Sequence, residues 1–199
     1  MKKKAASVKE NQSRNPKKPA RIGAQERSSD ESISSTSEDV IELILRDHQP
    51  LKKLIENLKN ADVSRSEKED CFEKFVPLLI GHAKAEEQSL YVQMKEFKNL
   101  RMESFEGDTE HAIAEQLIQE INGAADDDEW SAKVKVVAEL VDNHIQEEEE
   151  GILKDVKTQM DISLRRAVGE VYSQIKTELE LLSRPRQQKE RKSMGHQLN

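Results

Sequence analysis

The chain has 199 residues, of which 36% are charged and 35% hydrophobic, and a formal net charge of −7. That length suits one domain with tails, and no apolar run approaches the roughly 20 residues a membrane-spanning helix needs. A single cysteine, Cys71, excludes an internal disulfide framework and fits a reducing, cytoplasmic compartment.

Residues 1–37 show no periodicity and read as a disordered basic and serine-rich tail. The opening MKKKAASVKENQSRNPKKPAR is charged with no apolar stretch behind it, so it does not read as a secretory signal. The first helix is expected from Ser37–Asp39, with Ser37 as N-cap. Ile41, Ile44, His48, Leu51, Ile55 and Leu58 mark one face of it, and Pro50 predicts a bend or a division in its middle. After a turn over 60–66, a second helix is expected from Ser66 to Lys98. Phe72, Phe75, Leu79, His82, Glu86 and Leu90 share its inner face.

A third helix should span Glu103–Asn122, with His111, Glu115 and Ile118 on its stripe and Asn122–Gly123 as its stop. A fourth runs from Glu129 to Gln159, with Val134, Val137, Val141, His144, Glu148 and Ile152 inward. An additional helix over 159–182 offers Leu164, Val168, Val171, Ile175 and Leu182 for covering the bundle or forming a homodimer. Residues 183–199 form a basic C-terminal tail. Neither tail interleaves aromatics with its charge, which argues against nucleic-acid recognition. Short connections between long helices predict an all-α, antiparallel, up-and-down four-helix bundle with a C-terminal fifth helix.

Four of the five histidines fall one per helix, on the inward phase. They recur roughly 30 residues apart, about one helix and a turn, so all four can share one layer. Three carry a glutamate four residues later: His82/Glu86, His111/Glu115 and His144/Glu148. Because neighbouring helices run oppositely, Glu86 and Glu148 step to one side of the layer and Glu115 to the other. Buried carboxylates and imidazoles without partners are costly, and metal ions remove that cost. Seven candidate side chains (His48, His82, Glu86, His111, Glu115, His144 and Glu148) exceed what one structural zinc needs. Two metals fit better. The nitrogen-rich donor set favours iron, with manganese or zinc as substitutes. Glu87 and Glu149 lie about 100° around their helices and read as solvated or salt-bridged. Tyr91 reads as a donor beside the ligands or a radical partner, and Cys71 stands too far along its helix to be a ligand.

Asp47–His48–Gln49, His82–Ala–Lys–Ala–Glu86–Glu87, His111 and His144–Ile–Gln–Glu–Glu148–Glu149 resemble the motifs of the hemerythrin-like, or HHE cation-binding, family over about residues 38–158. The resemblance implies a four-helix bundle around a di-iron centre. It also implies that His48, His82, His111 and His144 are terminal ligands and that Glu86 and Glu148 bridge the metals. Oxygen-carrying members offer two histidines one turn apart on the third helix, where this chain has His111 and Glu115. Glu115 therefore reads as a ligand, as a group acting through water, or as a base beside the ligands. The resulting expectation is a non-haem di-iron protein that binds or senses dioxygen, nitric oxide or peroxide, or handles iron. The alternative is a di-iron oxidase or peroxidase in which Glu115 assists proton transfer.

Overall fold

Apolar residues recur every three to four positions through the chain, and it folds into helices joined along those stripes. A computed structural model of the protein describes residues 37–183, and there is no strand among them. Apart from Ser37 and Ser183, the expected tails lie outside the described residues. The helices are α1 (Val40–Lys59), α2 (Arg65–Gln88), α3 (Leu90–Met94), α4 (Arg101–Asn122) and α5 (Asp127–Glu147). A π-helical turn over Glu148–Ile152 continues α5 into α6 (Leu153–Gln159), and α7 is Ile162–Ser183.

Two apolar clusters show how these helices run. In one, Leu51, Ile55 and Leu58 from the end of α1 meet Phe72 and Phe75 from the start of α2. Ile118 and Ile121 from the end of α4 and Val134 and Val137 from the start of α5 complete it. In the other, Val40 and Ile44 from the start of α1 meet Leu90, Tyr91 and Met94, with Leu153 and Val156 of α6. Ends therefore meet starts between neighbours, and α1, α2, α4 and α5 form an antiparallel up-and-down bundle. The two clusters leave a layer between them, and the histidines occupy it. No helix among the described residues is long and apolar enough to cross a membrane.

Local chemistry explains where the elements depart from the expected ones. The N-cap of α1 is Asp39, whose Oδ1 accepts from the Ile41 amide at 3.1 Å, while the Ser37 hydroxyl bonds Glu170. Helix α1 runs through Pro50 undivided, because Pro50 is exposed and the carbonyl it leaves unpaired can be hydrated. Helix α2 starts at a reciprocal cap in which Ser64 and Glu67 each bond the other's backbone. It ends ten residues before the expected Lys98, because Ser89 leaves helical geometry (φ −125°, ψ −78°) and its hydroxyl donates back to the Ala85 carbonyl at 2.5 Å. The break turns Leu90, Tyr91 and Met94 inward together. The expected fourth helix is likewise divided, by the π turn.

Helix α7 covers α1 and α2 of its own bundle. Its buried face is Arg165, Val168 and Tyr172, whereas Val171 and Leu182 of the expected stripe are exposed. The face is rotated because its polar tips have partners beneath them. The Arg165 Nε donates to Asp39 at 2.9 Å, and the Tyr172 hydroxyl donates to Asp47 at 2.7 Å. Gly169 sets the approach: a Cβ there would collide with the Glu38 carbonyl oxygen and lie 3.1 Å from the Val40 nitrogen. Gly169→Ala should therefore destabilise the fold by about 1–2 kcal/mol, overpacking against backbone outweighing the helix-propensity gain. Urea unfolding measures this, and a variant as stable as the parent would contradict the close approach.

Candidate metal centre

His48 from α1, His82 from α2, His111 from α4 and His144 from α5 enter the layer from four sides, each no more than 4% exposed. Glu86 follows His82 by one turn, and Glu148 opens the π turn; both are fully buried. The Nε2 atoms of all four rings point at these two carboxylates. His48 Nε2 lies 3.3 Å from Glu148 Oε2, and His82 Nε2 lies 3.3 Å from Glu86 Oε2. His111 Nε2 is 3.5 Å from Glu86 Oε2, His144 Nε2 is 3.7 Å from Glu148 Oε2, and the two ring nitrogens face each other at 3.1 Å.

The donor atoms form two overlapping groups, His48, His82, Glu86 and Glu148 in one and Glu86, His111 and His144 in the other. In each group they lie within 4.8 Å of one another. Glu86 belongs to both, and Glu148 also reaches His144. His48 Nε2, His82 Nε2, both oxygens of Glu86 and Oε2 of Glu148 have no hydrogen-bond partner, although they are buried. Buried lone pairs without partners are costly. A cation shared among them satisfies them all, so the donor set fits a metal.

The outer ring atoms are held as ligand histidines are held, by carboxylates or by a group bonded to one. His48 Nδ1 is hydrogen-bonded to Glu149 at 2.9 Å and His144 Nδ1 to Glu110 at 2.6 Å, while His111 Nδ1 faces Glu87 at 3.3 Å without a hydrogen bond. His82 Nδ1 meets the Tyr172 hydroxyl at 3.0 Å. Each Glu–Glu doublet thus divides its work. Glu86 and Glu148 face the interior, while Glu87 and Glu149 reach histidines on the neighbouring helices. Lys84 and Lys52 pair with the outer members at 2.9 and 2.5 Å, the salt-bridged role expected for them. Inside, Tyr91 donates to Glu148 Oε1 at 2.9 Å, and its ring stacks on His111 at 5.5 Å between centroids.

Electrostatics follow from this crowding. Burial and the nearby Glu148 charge push the Glu86 carboxyl well above the usual range. Burial acts upward on Glu148 too, but His144 and His48 beside it hold it below the usual range. Burial pushes His82 down to about 4, against the pull of Asp47. His144 is raised, because Glu148 and Glu110 outweigh the effect of its burial.

The structure brings together six of the seven expected site residues. It does not bring in Glu115, whose carboxylate is 30% exposed and pairs with Lys84 at 2.5 Å, outside both donor groups. Glu115 instead lines a cavity of about 10 Å³, room for one water-sized molecule. Leu79, Ile80, Ala83, Ala114, Leu140 and Val141 make its walls apolar, and His111 and His144 stand on it.

Three participating residues were given no role by sequence reasoning. Glu110 immediately precedes His111 and could have been found as a carboxylate flanking a ligand. Asp47 similarly flanks His48. Tyr172 had no such signal, because only the rotation of α7 brings it to His82.

The family model for the hemerythrin HHE cation binding domain matches residues 39–156, which leaves α7 outside the matched segment. No curated protein and no solved structure matches the chain.

Proposed function

The chain belongs to the hemerythrin HHE cation-binding family, and from that premise we propose that it is a non-haem di-iron protein that binds or senses dioxygen, nitric oxide or peroxide. One observation carries the reading: buried donors from four helices, five of their inward atoms without a hydrogen-bond partner, converge in two overlapping groups. His48 and His82 would hold one iron and His111 and His144 the other. Glu86, common to both groups, and Glu148, which touches a histidine of each, would bridge them. Two irons held there would supply redox equivalents to a small ligand. The chain's own part is to orient four rings through their Nδ1 atoms and to hold Glu148 through Tyr91. The apolar cavity at His111 and His144 suits a small, weakly polar ligand. Manganese or zinc can occupy the same donors.

Glu115 and Lys84 together favour a second reading, an oxidase or peroxidase. A carboxylate on the cavity wall, paired with an ammonium, is placed to pass protons inward. Glu115 acts in that reading without ligating.

Metal analysis of protein prepared anaerobically with iron tests the assignment. About two irons per chain are expected, with both retained in Glu115→Ala and most iron lost in Glu86→Ala. Recovery of one zinc and no iron, or equal loading in both variants, would remove its support. Reaction of the reduced protein with oxygen, followed spectroscopically, separates reversible binding from turnover.

A further inference from the structure

Three of the four site histidines present Nδ1 directly to a carboxylate, and His82 does not. The carboxylate on its side, Asp47, is 3.9 Å from His82 Nδ1. The Tyr172 hydroxyl stands between them, 3.0 Å from His82 Nδ1 and 2.7 Å from Asp47 Oδ2. Lys176, one turn further along α7, holds the same Asp47 oxygen at 2.7 Å. Tyr172 is 2% exposed, so no bulk water competes for these bonds.

We propose that Tyr172 is a positioning residue for His82, and that α7, outside the family-matched segment, is thereby a working part of the metal centre. The argument rests on proton count. A phenol has one proton to donate. Asp47, as a carboxylate paired with Lys176, only accepts, so the Tyr172 proton goes to Asp47. The hydroxyl oxygen is then left as an acceptor, and His82 must bring its own proton on Nδ1. That fixes the tautomer, leaving the Nε2 lone pair free toward Glu86 and the interior. Without the hydroxyl, Asp47 is beyond hydrogen-bond reach and no outer hydrogen bond selects the tautomer. The ring orientation is set by the same contact, because Nδ1 is the only outward polar atom of His82. This inference rests on the reading of His82 as a ligand.

The test uses the full chain and two readouts. In metal-free protein at pH 7, where the buried His82 ring is neutral, nitrogen-15 NMR should show the Nδ1–H form in wild type. Tyr172→Phe keeps the ring and removes the hydroxyl, and it should give a tautomer mixture. Zinc(II), which is redox-silent, serves as the metal probe in chelator competition. Its affinity should fall roughly 10–100-fold in Tyr172→Phe, as for loss of other groups that orient ligands. Asp47→Ala gives a second variant should the first not fold: with its acceptor gone, the Tyr172 hydroxyl is free to donate to His82 Nδ1, and the Nδ1–H form should no longer be pure. A pure Nδ1–H His82 with parental zinc affinity in a folded variant overturns the proposal. If wild type takes up neither zinc nor iron, the metal reading itself fails. The NMR result then still decides whether Tyr172 sets the His82 tautomer.

Discussion

Stripped of metal, the protein should be less stable than its iron-loaded form by roughly 3–4 kcal/mol when free metal exceeds its Kd by 100- to 1,000-fold. The cause is local. Glu86 and Glu148 are fully buried with three oxygens lacking hydrogen-bond partners, and cations satisfy them only in the folded state. The pH dependence of the metal-free form is an independent check. Glu86 is raised in the folded protein, so its contribution is complete below about pH 4.5 and is lost as the pH rises. His144 is also raised, and its contribution is lost above about pH 6.5. His82 is depressed to about 4, so its burial costs nothing above pH 6.5 and costs progressively more as the pH falls toward 4. Between about pH 4.5 and 6.5 the Glu86 and His82 effects oppose each other. Above pH 6.5 only the losses remain, at roughly 1.4 kcal/mol per pH unit for each proton involved. Metal-free protein should therefore lose stability from pH 6.5 to 8, while iron-loaded protein holds there and weakens on acidification as protons compete for the imidazoles. Thermal melts of both forms between pH 5 and 8 measure this. Coincident curves would mean that the layer holds no metal, and an unchanged slope in metal-free Glu86→Gln would mean that Glu86 is not a source of it.

Gly107→Ala should destabilise the fold both by overpacking and by disturbing a hydrogen bond to the donor set. Its Cβ would lie 2.6 Å from the Tyr91 hydroxyl oxygen and 2.7 Å from the ring carbon bearing it. The ring cannot yield easily, because Tyr91 is fully buried and packed beside His111. Overpacking costs about 1–3 kcal/mol, and losing the hydrogen bond to the Glu148 carboxylate about 1.5–3 more. Alanine's helix propensity returns less than about 1 kcal/mol. A net loss of roughly 2–4 kcal/mol is expected in urea unfolding of metal-free protein. Tyr91→Phe removes the hydrogen bond alone and should recover the steric share. If the two variants matched wild type, the Tyr91–Glu148 contact would carry no energy.

The bundle and the interior donors were legible because both rest on one periodicity. A histidine in phase with Ile44 and Leu51, or a glutamate in phase with Leu79 and His82, faces where its apolar neighbours face. Glu115 shows where phase alone falls short. It follows His111 by one turn, but antiparallel packing carries that turn away from Glu86 and Glu148 and toward Lys84, as the stepping argument implied. The break at Ser89 was not legible, because a side-chain bond to the Ala85 carbonyl has no periodic signature. Tyr172 was hidden for a related reason: the face of α7 is chosen by Asp39 and Asp47, far away in sequence, rather than by its own apolar pattern.

The π turn after His144 bears on how chains of this kind are compared. Ile152 continues the inward row by simple counting, yet Leu153 is buried and Ile152 only partly so, with Val156 and Met160 following. The register has slipped by one residue, about 100° of rotation, at Glu148. Laid against a straight helix, this segment needs a single-position gap just past Glu148. An ungapped alignment pairs the core of one chain with the surface of the other from there to Gln159. Dissimilarity counted over that stretch would measure an offset, not divergence.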